Sequence, residues 1–260
     1  LFKSVINQLA SSLSYLTFYF QGEPYLNPDF LDMVRYASAA GIYTATSTNA
    51  HFLTEEGARR TVASGLDRLI ISIDGTTQAA YESYRIGGSL NKVLQGARNV
   101  LNARDAMRSR TPHLVFQFLV VGPNEHQIQE VRKLGRDLGV DEVILKTAQI
   151  YGFEHGSHLI PAQDRYSRYR KNPDGSYSIK NALDDHCWKM WHSCVVTWDG
   201  KVLPCCFDKD AHFVLGDLNK NSFEEIWYGA AYQRFRASLL RSRKEIDMCR
   251  NCTEGTRVFA

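Results

Sequence analysis

Apolar positions along this chain follow two periods in turn, and their succession predicts its architecture. Residues 1, 2, 5, 6 and 9 of Leu-Phe-Lys-Ser-Val-Ile-Asn-Gln-Leu are apolar. That is a helical stripe, already under way at the first residue. Residues 14–20 are aromatic and β-prone and read as a buried strand, broken by Gln21-Gly22-Glu23-Pro24. A helix beginning near Asp29 runs to about Ala40 and stops at Gly41. A strand over 42–47, a helix over 54–64 and a strand over 68–73 follow, the last broken by Asp74-Gly75. Ser89 is placed to cap a long helix reaching about Met107. A strand over 113–121, a helix from about Asn124 to Leu138 ended by Gly139, and a strand over 142–146 complete the run.

Strand–helix alternation at this spacing predicts parallel strands joined by right-handed crossovers. The expected fold class is α/β: a parallel β/α sheet, open or curled into a partial barrel, over residues 1–150. Ligands in such folds bind at the carboxyl ends of the strands. Those ends hold Gly22-Glu23-Pro24, Ser47-Thr48-Asn49, Ser72 with Asp74, Gly122-Pro123-Asn124 and Lys146-Thr147. Residues 151–186 are rich in Gly, Pro, Asp, Asn, Tyr and Arg, show no period and read as a connector. Residues 187–260 form a small cysteine-rich domain. Trp188, Trp191 and Trp198 are expected in its core.

Composition narrows the function classes. An apolar content of 44% supports a sizeable core, and a net charge of +3 argues against nucleic acid as the main partner. No apolar run reaches the length of a membrane span, and no signal peptide is visible, so a cytoplasmic protein is expected.

All six cysteines come late: Cys187, Cys194, Cys205, Cys206, Cys249 and Cys252. A disulfide scaffold would spread them through a short chain, so thiols gathered in one region point to a metal site. Cys249 and Cys252 form a CxxC pair able to grip one centre from a single turn. Cys205 and Cys206 end a predicted hairpin over 195–204, turning at Asp199-Gly200. Four thiolates suit structural zinc or a 4Fe–4S cluster, and spacing alone does not separate the two. Either member of the Cys205–Cys206 pair can be the ligand. Cys194 and the other member are surplus, read as small buried hydrophobes. His186 and His192 flank the array as surface or outer-shell groups.

The array Cys187-x12-Gly200-x4-Cys205, a gap, then Cys249-x2-Cys252 resembles the SPASM extension of radical S-adenosylmethionine (SAM) enzymes. SCVVTWDGKVLPCCFD, followed by Gly216-Asp217-Leu218 and Ile226-Trp227, is similar to its shorter form. The resemblance implies one auxiliary 4Fe–4S cluster on Cys187, Cys205, Cys249 and Cys252. Upstream, Gly22-Glu23-Pro24 resembles the GEP motif that binds the methionine amino group of SAM. Ser47, Asn49, Ser72 with Asp74, and Thr147 match further strand ends that contact SAM. The implied activity is reductive cleavage of SAM to methionine and a 5′-deoxyadenosyl radical, which abstracts hydrogen from a substrate. A peptide or protein substrate and an external electron donor are the implied partners, with no nucleic acid and no membrane.

One departure matters. The defining CxxxCxxC motif, which holds the SAM-cleaving cluster, is absent from these 260 residues. A helix already under way at Leu1 leads us to expect that sequence upstream carries it, with the first strand and a second 4Fe–4S cluster. This chain alone is then expected to be inactive. The competing class is a non-catalytic metal protein: an iron–sulfur electron carrier or a zinc-stabilised binding module.

Overall fold

The computed structural model describes residues 1–253; residues 254–260, the tail of the expected C-terminal domain, lie outside it. By packing, the chain divides into two compact units. One is Leu13–Ser178; the other combines Leu1–Ser12 with Ile179–Ala260.

The first unit is built on a five-stranded parallel sheet. Its strands are β1 (Tyr15–Thr17), β2 (Tyr43–Thr48), β3 (Arg68–Ser72), β4 (His113–Val120) and β5 (Glu142–Thr147). They lie side by side in chain order. Each crossover therefore steps the same way, which is the winding of a barrel and not of a doubly wound sheet. The opening helix, α1 (Phe2–Leu9), belongs to the other unit. The crossover helices are α2 (Phe30–Ala39), α3 (Glu55–Ala63), α4 (Gln78–Tyr84), α5 (Leu90–Ala106) and α6 (Ile128–Leu138). Local sequence sets their ends. Thr54, Thr77 and Ser89 each accept a backbone N–H of the helix they start. Gly139 takes the left-handed conformation that closes α6. The break at Asp74-Gly75 opens into α4, a helix the periodicity did not predict. Gly75 permits it, since a Cβ there would stand 2.3 Å from the Tyr81 nitrogen.

Strand register decides which face is packed. Leu69, Ile71, Phe116 and Phe118 fall on one face and join the core with Val34, Val93, Ala97 and Val100 of the helices. Ser47, Ile70, Ser72, Gln117 and Ile144 fall on the opposite face. Residues 151–178 are part of this unit and not a free connector. The Ala162 and Gln163 N–H groups donate to Glu125, and Tyr169 stacks on Phe153. Two short strands, β6 (Tyr169–Lys171) and β7 (Tyr177–Ile179), pair within the expected connector.

The second unit holds the predicted hairpin, β8 (Val195–Val196) with β9 (Lys201–Leu203), antiparallel and turning at Gly200 (φ +89°). A third strand, β10 (Gly216–Asp217), extends it. Helices α7 (Phe223–Trp227), α8 (Ala230–Arg241) and α9 (Asp247–Arg250) follow. Helix α1 packs here: Val5 sits in one apolar cluster with Val202, Ile226, Tyr232 and Leu239. The expected tryptophan core is not observed. Trp188, Trp191 and Trp198 are 51%, 41% and 94% exposed. Met190, Tyr232, Phe235 and Leu239 fill that place, because the aliphatic and aromatic face of α8 supplies enough apolar surface. Among the described residues no helix is long and apolar enough to cross a membrane.

Phe116 is fully buried at the centre of the sheet's core. Phe116→Ala is expected to cost about 3–5 kcal/mol, read as a lower urea midpoint by circular dichroism at unchanged slope. Tyr43→Ala, at a position 40% exposed, should cost far less.

Candidate cofactor sites

The loop after β1 is held by its own glutamate. Glu23 caps a 3₁₀ turn over Pro24–Leu26, accepting the Tyr25 N–H at 3.3 Å. The Thr48 hydroxyl donates to the same carboxylate at 2.7 Å, and the Asn49 N–H at 2.8 Å. Both oxygens of Glu23 thus already accept protein hydrogen bonds that tie the loop to the end of β2. Gly22 precedes it at φ +80°, exposed. The Asn49 carbonyl lies 2.9 Å from Nδ1 of His51, and Nε2 of that ring accepts the Ser89 N–H at 3.0 Å. A backbone N–H can only donate, so the His51 proton sits on Nδ1.

Asp74 is buried after β3. It accepts the Leu119 N–H at 2.8 Å and pairs with Arg85 Nε at 2.6 Å. Burial pushes its carboxyl above the ordinary range, although the Arg85 guanidinium and the Leu119 N–H pull it down. Asn124 completes the corner, donating to the Asp74 and Leu119 carbonyls and accepting the Val121 N–H. An open groove borders this end, lined by Asn49, His51, Tyr81, Tyr84 and Arg85. Ser47 and Ser72 share the sheet's other face with Gln117, the register partner of Ser72. Gln117 and Arg85 escaped the sequence reading. A single polar residue inside the apolar run His-Leu-Val-Phe-Gln-Phe-Leu-Val was the available signal for the first. Thr147 accepts a hydrogen bond from Arg168 Nε at both its hydroxyl (2.9 Å) and its carbonyl (3.1 Å).

In the second unit, Cys187, Cys205, Cys249 and Cys252 all line one small cavity. Three separate segments deliver them: the start of a 3₁₀ turn over Trp188–Trp191, the residues after β9, and helix α9 with its C-terminal turn. Cys206 is exposed and lies off that wall, while Cys194 packs against the apolar cluster. Burial pushes the Cys205 and Cys194 thiols up to about 12. Burial also raises Cys249 to about 11, against the opposing charge of Arg243. Arg243 is 1% exposed on the cavity wall, and its guanidinium donates to the His186 carbonyl.

These residues fit an iron–sulfur cluster. Such a cluster needs four thiolates, a compensating charge and hydrogen bonds to its sulfurs. Four thiols and a buried guanidinium are present. The Tyr232 hydroxyl, within electrostatic reach of Cys194 and Cys205, is buried with no hydrogen-bond partner, as a donor awaiting an acceptor would be. Among the described residues no three His, Cys, Asp or Glu side chains close on a single ion.

Residues 6–135 match the Radical SAM superfamily, and residues 187–253 match SPASM, an iron–sulfur cluster-binding domain. The chain belongs to the radical SAM superfamily and carries a SPASM domain. It is 28% identical over 221 residues to PqqA peptide cyclase of Gluconobacter oxydans (strain 621H), covering 78% of this chain and 60% of that protein. The chain thus spans about 60% of the length of this curated relative. SuiB of Streptococcus suis superposes with a TM-score of 0.67 at 12% identity, over 90% of this chain and 60% of that one. His-tagged anSMEcpe with bound AdoMet gives 0.65 at 15%, over 98% and 76%. BtrN in complex with AdoMet and 2-DOIA gives 0.54 at 20%, over 98% and 79%. At these identities the likeness is one of fold.

Glu23→Ala removes the acceptor that joins loop and strand. It is expected to lower stability by about 1–3 kcal/mol. Adding Thr48→Val should cost less than the same change in the wild type, because the two share one hydrogen bond while the Ala50 N–H separately loses its Thr48 acceptor. Urea unfolding of the two single variants and the double variant measures that coupling.

Proposed function

We propose that this chain is part of a radical SAM/SPASM enzyme that cleaves SAM reductively and modifies a peptide or protein substrate. The observation that carries the reading is the convergence of four cysteines from three separate segments on one cavity. Cys187, Cys205, Cys249 and Cys252 would hold a 4Fe–4S cluster there, which when bound passes electrons or positions the substrate. Thiols standing around a cavity suit a cluster several ångströms across better than one zinc ion, whose thiolate ligands all lie about 2.3 Å from a single point.

The sheet's carboxyl end supplies the SAM site in this reading. Gly22 allows close approach of backbone carbonyls to the methionine ammonium. Glu23 fixes that loop and adds negative charge. Ser47, Asn49 and Ser72 offer hydroxyl and amide partners, and Asp74 holds the corner. Thr147 acts through its backbone and through Arg168. A peptide substrate is supported by the printed function of the Gluconobacter relative and by anSMEcpe solved with a bound peptide. An external electron donor is required by reductive cleavage. SAM cleavage further needs a cluster with one iron open to the methionine group. All six cysteines stand at or after residue 187, so these 260 residues provide no CxxxCxxC set for it.

Anaerobic reconstitution with iron and sulfide is expected to give a brown protein with about four irons per chain. Cys194→Ser and Cys206→Ser should keep the iron, while Cys249→Ala should lose it and loosen the fold around the cavity. Tight zinc binding without iron uptake would refute the assignment. Under dithionite, this chain should form no 5′-deoxyadenosine, whereas a longer form bearing CxxxCxxC should. Turnover by the short chain would overturn the assignment of the cluster on its cysteines.

A further inference from the structure

Four arginines of the first unit are partly buried: Arg68, Arg85, Arg104 and Arg168. Three of them have a carboxylate. Arg68 pairs with Glu142 at 2.9 Å, Arg85 with Asp74 at 2.6 Å, and Arg104 with Asp141. Arg168 has none among the described residues. Its Nε is spent on the hydroxyl and carbonyl of Thr147, both neutral acceptors. Its Nη1 is buried and has no hydrogen-bond partner. A guanidinium does not deprotonate, so this charge persists. Leaving a buried charged donor unmet is costly, and native proteins rarely do so without a function.

Position sharpens the point. Thr147 ends β5, so Arg168 is pinned at the carboxyl end of the sheet, where ligands of such folds bind. The two bonds to Thr147 fix the base of the guanidinium and leave its outer edge uncommitted. That edge is a planar fork matched to a carboxylate, which it can hold through two parallel hydrogen bonds.

We infer that Arg168 is a ligand-binding residue that receives a carboxylate at the end of β5. This rests on the reading that the strand ends form the SAM and substrate site. Two carboxylates have the right chemistry: the methionine carboxylate of SAM and an acidic group of a peptide. In either case Thr147 is a positioning residue, acting on the ligand through Arg168.

The test uses the full chain as wild type, Arg168→Met and Arg168→Lys, titrated calorimetrically with two matched pairs of probes. One pair is SAM and decarboxylated SAM; the other is a short glutamate peptide and its glutamine counterpart. In one pair, wild type is expected to prefer the carboxylate by about tenfold or more, the scale of a charge-assisted bidentate bond. Arg168→Met should bring that preference close to one without changing the neutral member's affinity. Arg168→Lys should keep part of it. Preference within the SAM pair assigns the carboxylate to methionine; preference within the peptide pair assigns it to the substrate. No preference in wild type, an equal loss for both members in Arg168→Met, or preference surviving that change overturns the inference. SAM binding without discrimination in either pair would sink the role of Arg168 and spare the SAM site. Glutamate discrimination lost in Arg168→Met, with no binding of either SAM form, would do the reverse.

Discussion

Carboxylates that bridge neighbouring parallel strands are the constraint on which the sheet unit depends. A parallel ladder leaves N–H groups unmatched where strands begin and end, and a buried N–H without a partner is costly. Here aspartate or glutamate meets that need at both ends. Before the strands, Asp67 accepts the Thr44 N–H and Asp141 accepts the Leu114 N–H. After them, Glu23 accepts the Asn49 N–H and Asp74 accepts the Leu119 N–H. Each acid flanks one strand and grips a neighbouring one, so register is locked from outside the ladder. At the carboxyl end Glu23 fixes the Gly22–Pro24 loop, and Asp74 holds Arg85, a residue of the groove wall.

The second unit meets a different constraint. Four cysteines and the buried Arg243 line one cavity, and a guanidinium is costly to bury unless it is paired. Burial raises the Cys205 and Cys249 thiols. A centre that brings positive charge would reverse this and draw thiolates to itself. The apolar cluster behind the cavity, with Tyr232 and Leu239 at its heart, is the scaffold and not the reason for the cysteines.

Much of this was legible in the sequence, for identifiable reasons. The Asp199-Gly200 turn and the glycines closing α2 and α6 are local chemistry, so the hairpin and helix ends were readable from short windows. The cysteine array was readable because its members are few, of one residue type and confined to one stretch of the chain. What stayed hidden was set by partners distant in sequence. The Thr147–Arg168 contact joins a strand end to a stretch without period, and the Asp74–Arg85 pair crosses an unforeseen helix. The exposed tryptophans misled because large aromatic residues suggest a core. The apolar face of α8 had already supplied one.

The cysteine-bearing unit is assembled from both extremities of this chain, with Leu13–Ser178 between them. During synthesis, the amphipathic stripe of α1 emerges well before Val202, Ile226 and Leu239, the residues that cover it. The five described strands of the sheet unit all emerge in that interval and can pair before those residues appear. Once folded, it shortens the effective span that the two extremities must bridge, and with it the entropy lost on joining them. The order of birth from the ribosome thus favours a sheet first and a cluster site last, with one greasy helix waiting in between.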